Sequence, residues 1–234
     1  MPGEQSGSAR TIEGNRYATL VGDVAASRSY PDQKRLFSAL RQIFDTVNQQ
    51  VEAAQPIRFS VGDEFQAAYS TLADAIRATV LLRLRFKTEE LGTFGVRDQD
   101  VRIGLAYGEI TVFDATEEPF GQSGAGWWRA RSAIEEAERR KKGHGLPYST
   151  QSSFAGEENE LFAMTNAFLL ALDQVMFRMD EKDVRITLGT LDGKTQTAIG
   201  EELEIGQSTI SKRFKNNGAA TILMILDTLG HIYS

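Results

Sequence analysis

Cysteine is absent from the 234 residues, which excludes a disulfide framework and any thiolate metal site and suits a reducing cytoplasm. Histidine is nearly absent as well. His144 lies among glycines and lysines and His231 lies near the terminus, so a nucleophilic mechanism built on a Ser–His or Cys–His pair has little footing. No apolar run in the sequence approaches the roughly 18–20 residues that span a bilayer, and no membrane partner is expected. Residues 1–15 are polar and rich in Gly and Ser. They lack the apolar middle of a signal peptide and read as a disordered leader. Excess positive charge is lacking too: the net charge of −6 argues against a non-specific coat on nucleic acid, though a local basic patch remains compatible with sequence-specific binding.

What is present is an ordinary globular composition, 41% hydrophobic and 25% charged, in a chain long enough for one large domain or two modest ones. Arg16 to Val24 reads as a buried strand. Leu36, Leu40, Phe44, Val47 and Val51 recur at spacings of three and four, which predicts an amphipathic helix over 32–53. Arg58–Val61 and Glu64–Tyr69 predict a hairpin about Gly62-Asp63, and Leu72–Leu91 a second helix. Val101–Leu105 and Gly108–Phe113 predict a second hairpin, followed by a loop with Gly121, Gly124 and Gly126 and a charged helix over Trp127–Lys142. This order predicts an α+β unit, residues 16–150, with an antiparallel sheet and helices on one face. A Gly/Ser/Pro-punctuated stretch marks the boundary, and residues 158–234 read as helical throughout.

Two acidic residues follow glycines at strand ends, Asp23 in LVGDV and Asp63 in FSVGDEF. Two carboxylates delivered by neighbouring strands are one way to hold a divalent metal against phosphate. Backbone amides over Ala25, Ala26, Ser27 and Arg28, with the Arg28 guanidinium, offer a phosphate cradle. Asp23 and Asp63 also suit plain turn-capping. Arg129 and Arg131 suit either a phosphate or the neighbouring Glu135 and Glu136.

Residues 195–217 predict a helix-turn-helix. Ala198, Ile199, Leu203, Ile205, Ile210 and Phe214 are its apolar pegs, Gly206 its turn, and Ser208 and Thr209 can cap the second helix and reach phosphates. Gln196, Gln207, Ser208, Thr209, Ser211, Lys212, Arg213 and Lys215 are the expected DNA-contacting residues, and the wording from Lys194 to Arg213 resembles bacterial transcription-regulator motifs. A lone unit makes few base contacts, so a homodimer on double-stranded DNA is the expected form.

Taken together, LVGDVAASR (Leu20–Arg28), FSVGDEFQAAY (Phe59–Tyr69), VRIGLAYGEI (Val101–Ile110) and GWWRARSAIEEAE (Gly126–Glu138) resemble the SatD family, whose core is similar to class III nucleotide cyclases and, more distantly, to GGDEF domains. The resemblance implies a ferredoxin-like, cyclase/palm-type sheet followed by the helix-turn-helix. It implies Asp23 and Asp63 as ligands of Mg²⁺ or Mn²⁺, with the Val24 carbonyl joining them, and a nucleotide as ligand. The base-selecting lysine of cyclases is replaced here by Phe59. Trp128-Arg129-Ala130-Arg131 carries arginines but no transition-state asparagine. The implied function is a transcriptional regulator whose cyclase-like half binds a nucleotide or phosphate without turnover. An active cyclase or nucleotidyltransferase using both aspartates is the alternative.

Overall fold

A computed structural model describes residues 16–89, 91–92, 94, 99–112, 122–156 and 159–233. The expected leader, residues 1–15, and the part of the glycine loop up to Gly121 lie outside the described residues. The architecture is mixed α and β, with a five-stranded sheet and, among the described residues, eight α-helices.

The long apolar strand β1 (Arg16–Val24) is the axis of the sheet. On one side it pairs antiparallel with β3 (Phe65–Tyr69), which in turn pairs with the edge strand β2 (Gln55–Phe59). On the other it pairs antiparallel with β4 (Val101–Glu109). Because side chains alternate along a strand, Leu20, Val24, Ile103 and Leu105 face one way and Val21 and Ala106 the other. The first face is covered by α1 (Gln33–Gln50) and α2 (Leu72–Thr88), begun by Asp32 and Thr71, whose side chains accept from the N–H of Arg35 and Asp74.

The second face carries α3 (Ala125–Lys142), so helices cover both faces rather than the one expected. Small residues at every second position of β4 explain this. A Cβ at Gly104 would lie 1.9 Å from the Ala130 carbonyl oxygen, and one at Gly108 3.0 Å from the Gly126 nitrogen. With Ala106 between them they form a flat track on which the α3 backbone rests directly.

Two further expectations are corrected. Gly108 does not open a hairpin partner for β4, because β4 runs unbroken to Glu109. The next strand, β5 (Thr111–Val112), pairs with β6 (Gln122–Ser123) instead; Phe113 lies outside the described residues. The punctuated stretch placed at the boundary holds β7 (Ser152–Ala155), which joins β4 in parallel and completes the order β2-β3-β1-β4-β7.

Beyond β7 come α4 (Glu160–Arg178), α5 (Glu181–Leu191), α6 (Gln196–Leu203), α7 (Gln207–Asn216) and α8 (Ala219–Tyr233). One hydrophobic cluster runs from the sheet through α2 into Leu169, Met176, Val184, Ile222 and Leu229 of these helices. Contrary to the reading of the sequence, α4 is long and apolar enough to cross a membrane by length and composition, at mean hydropathy 1.2 over its window. Its inner side carries Asp173, which is 0% exposed.

Arg83 of α2, 1% exposed, donates from Nη2 to Asp100 at 2.7 Å and from Nη1 to Asp173. Asp173 also accepts the N–H groups of Gln151 and Ser152 at 2.7 and 2.8 Å and the Ser152 hydroxyl at 3.0 Å. Burial alone pulls the Arg83 guanidinium down, but Asp100 and Asp173 outweigh it and hold the group charged. Burial also lowers the Lys87 ammonium, which donates to the Met176 carbonyl at 3.2 Å.

Asp173→Ala strands part of a buried charge, so it is expected to cost about 3–5 kcal/mol, read as a lower urea midpoint at unchanged slope. Gly104→Ala is expected to displace α3, reported by Trp127 fluorescence. Gly230→Ala, where an added Cβ meets nothing within 4 Å in a helix interior, is expected to stabilise by up to about 1 kcal/mol.

Candidate functional site

The two glycine–acid pairs owe their glycines to different causes. A Cβ at Gly22 would lie 2.3 Å from the Phe65 ring, so Gly22 lets that aromatic ring cross β1. Gly62 has φ 63° and turns the hairpin tip, closed by Ser60 N–H to the Glu64 carbonyl at 2.8 Å. Together they set Asp23 at the end of β1 and Asp63 and Glu64 at the neighbouring tip.

Asp23 lies opposite Arg102 of β4 in the strand register. Both its oxygens accept from that guanidinium, Oδ1 from Nε at 2.7 Å and Oδ2 from Nη2 at 2.9 Å. Burial pushes the Asp23 carboxyl up; Arg102 opposes this, and the charges of Asp63 and Glu64 add to the rise. The acids are therefore close enough to feel one another. Arg102 extends to Glu138 of α3 at 3.7 Å, and Glu138 to Lys141 at 2.9 Å. Glu64 is turned to the same side by the hairpin, accepts from Ser60 Oγ at 3.0 Å and pairs with Arg131. Arg131 thus meets Glu64, not Glu135 or Glu136.

The arrangement is a patch of acids with arginines interleaved, not a preformed metal cage. Among the described residues no three His, Asp or Glu side chains converge as a metal-holding group, and Asp23, one of the two expected ligands, has both oxygens on Arg102. As they stand these residues do not fit a metal held by protein alone, because the guanidinium already occupies the cation's place.

The turn after β1 is folded on itself. Val24 is buried, and the Ala25 N–H donates to the Asp100 carbonyl at 2.8 Å, which removes it from any cradle. Ala26 is left-handed at φ 53°, and Gln33 Nε2 donates to the carbonyls of Ser27 and Tyr30 at 2.8 and 3.0 Å. Arg28 and Arg129 are exposed. Trp127 is buried under α3 and Trp128 is 67% exposed. Phe59, at the base-selecting position, packs on Phe37 and Phe44, with ring centroids 5.2 and 4.9 Å away.

Helices α6 and α7 are joined by Glu204, Ile205 and Gly206. The left-handed residue is Glu204 at φ 55°, not Gly206, which is the extended N-cap of α7 and leaves Ser208 and Thr209 without a capping bond. The glycine that matters for packing is Gly200, where a Cβ would lie 2.8 Å from the Ile205 carbonyl oxygen. Ile199 and Ile210 are buried with Ile186 and Ala219, and Leu203, Ile205 and Phe214 pack against them; Ala198 is outside this cluster. Gln207, Ser208, Thr209, Lys212 and Lys215 are exposed, Gln196 and Ser211 half-buried. Arg213 turns inward onto α5, pairing with Asp180 and, at 2.8 Å, with Asp183.

Residues 17–225 match the SatD family, and the chain belongs to that family. Comparison with curated proteins gives no match. Two structures of a bacterial light-regulated adenylyl cyclase are similar at 12% and 14% identity, with TM-scores of 0.38 and 0.36. Each similarity covers 59% of this chain and 42% of the cyclase chain, so this chain matches less than half the length of those proteins.

Arg102→Met leaves Asp23 facing Asp63 and Glu64 without its cation. The expected loss is about 1–3 kcal/mol in urea unfolding. Millimolar Mg²⁺ is expected to raise the melting temperature of that variant and to leave the parent unmoved.

Proposed function

We propose that the chain is a DNA-binding transcriptional regulator, and that its sheet-bearing half binds a nucleotide or phosphate ligand that biases the DNA-binding helices. The observation that carries this reading is the outer surface of α7. Ile210 and Phe214 point to a small core, while Gln207, Ser208 and Thr209 at the N-terminal end and Lys212 and Lys215 further along are free of it. Small polar groups at the start of a short helix and lysines beyond suit entry into a major groove. We therefore read α6 and α7 as a helix-turn-helix, used in a homodimer on two half-sites of double-stranded DNA.

The sheet supports a ferredoxin-like, cyclase/palm-type core: β2-β3-β1-β4 is antiparallel throughout, with α1 and α2 crossing on one face. Arg102 and Arg131 beside Asp23 and Glu64 supply the charge for a phosphate, and the exposed Arg28 and Arg129 add to it. Mg²⁺ or Mn²⁺ would enter this reading only with the nucleotide, and Asp23 and Asp63 are the residues that would hold it. The internal Asp23–Arg102 pair and the aromatic packing of Phe59 favour binding over turnover by a cyclase or nucleotidyltransferase. A ligand of this kind acts by binding one arrangement of the two DNA-reading units better than the other.

Selection from a random duplex pool, followed by anisotropy titration with and without ATP or GTP and Mg²⁺, tests both halves of the proposal. Lys212→Ala and Lys215→Ala are each expected to weaken DNA binding and to lower the salt slope by about one. Arg213→Ala is expected to lower the unfolding midpoint first. Failure to enrich any duplex removes the DNA reading; DNA affinity indifferent to every nucleotide removes the sensing half.

A further inference from the structure

Away from the acid patch, a cleft of about 390 Å³ opens between α3, β7 and α4. Its volume is within the range of small-molecule sites. Ala133, Ala137 and Arg140 reach it from α3 at helical spacing, on another side of that helix from Arg131 and Glu138. Phe154 of β7 and Phe162 and Leu170 of α4 supply the rest of an apolar wall.

Most polar groups lining the cleft are already satisfied. Ser152 Oγ bonds Asp173 at 3.0 Å, and Ser153 Oγ donates to the Ala133 carbonyl at 2.6 Å. Asn166 exchanges two bonds with the Phe154 backbone at 3.0 Å, and Glu136 is paired with Arg139 at 2.7 Å. The Ser132 and Thr150 hydroxyls and the Arg140 side chain are left. The Thr150 hydroxyl, on a residue only 3% exposed, has no partner among the described residues but is closed off from the open cleft. The Arg140 side chain also makes no hydrogen bond or ion pair among the described residues and stands in the wall of the cleft.

We infer that this cleft is a binding site for a small amphipathic anion, an organic carboxylate with an apolar body. The apolar wall takes the body and Arg140 pairs with the carboxylate. The acid patch is not involved, so this site stands independently of the nucleotide reading.

Decanoate, measured by calorimetry and by displacement of the fluorescent anion 8-anilinonaphthalene-1-sulfonate, is the probe. One decanoate per chain is expected to bind. Ala167→Trp, which fills the cleft from an exposed position on α4, is expected to abolish it at an unchanged unfolding midpoint. Arg140→Glu is expected to weaken decanoate by about tenfold or more and to leave decanol unaffected. No binding to the parent chain, or binding unchanged in Ala167→Trp, overturns the site; equal losses of decanoate and decanol in Arg140→Glu overturn the assignment of an anion.

Discussion

A guanidinium in the middle of a hydrophobic core holds this protein together. Arg83 is tied to Asp100 just ahead of β4 and to Asp173 on α4, and Asp173 in turn takes the backbone N–H groups that lead into β7. Taking these charges out of water is expensive, and the cost is offset only because every partner is in place. That requirement is selective. An apolar contact between α2 and α4 would tolerate sliding, whereas the ion pairs fix both the rotation of α4 and the register of β7 on β4. The placement of the C-terminal helices against the sheet follows from this one constraint.

The acid patch at the strand ends obeys the same electrostatics with less burial. Asp23 would be poorly placed beside Asp63 and Glu64 if the chain did not bring its own cation. Arg102 arrives because β1 and β4 pair in a register that sets it opposite Asp23. The patch thus balances its acids with the chain's own arginines. The cleft between α3 and α4 follows different chemistry: an apolar wall beside one unpaired cation.

Much of the first half was legible because local signals suffice there. β1 falls at Arg16–Val24 as read, and α2 begins at Leu72 as read, where Thr71 caps it. The start of β2 was read three residues late because Pro56 looked like a break; on an edge strand a proline loses nothing. β7 was missed because four residues, two of them serines, pairing in parallel with a strand nearly fifty positions earlier leave no local pattern. Arg102 was missed for a related reason, since a cross-strand partner depends on register. Arg83 and Asp173 did leave a trace: each is a charge set among the leucines of a mainly apolar helix run, LLRLRF and LLALDQV. Gly104, Ala106 and Gly108 left another, a small-residue alternation that marks a helix lying flat on a strand. Gly206 misled, because Glu204 makes the left-handed turn through its own backbone.

β7 and Asp173 also bear on how such a chain can be rearranged by recombination. The last strand of the sheet and the counter-charge for a buried arginine are both encoded downstream of α3, next to the segment that carries α6 and α7. Cutting between the halves at residue 150 would bare an edge of β4 and take from Arg83 one of its two aspartates. Helices α6 and α7 are therefore no detachable cassette: grafting a foreign C-terminal segment succeeds only if it brings its own β7 and its own aspartate.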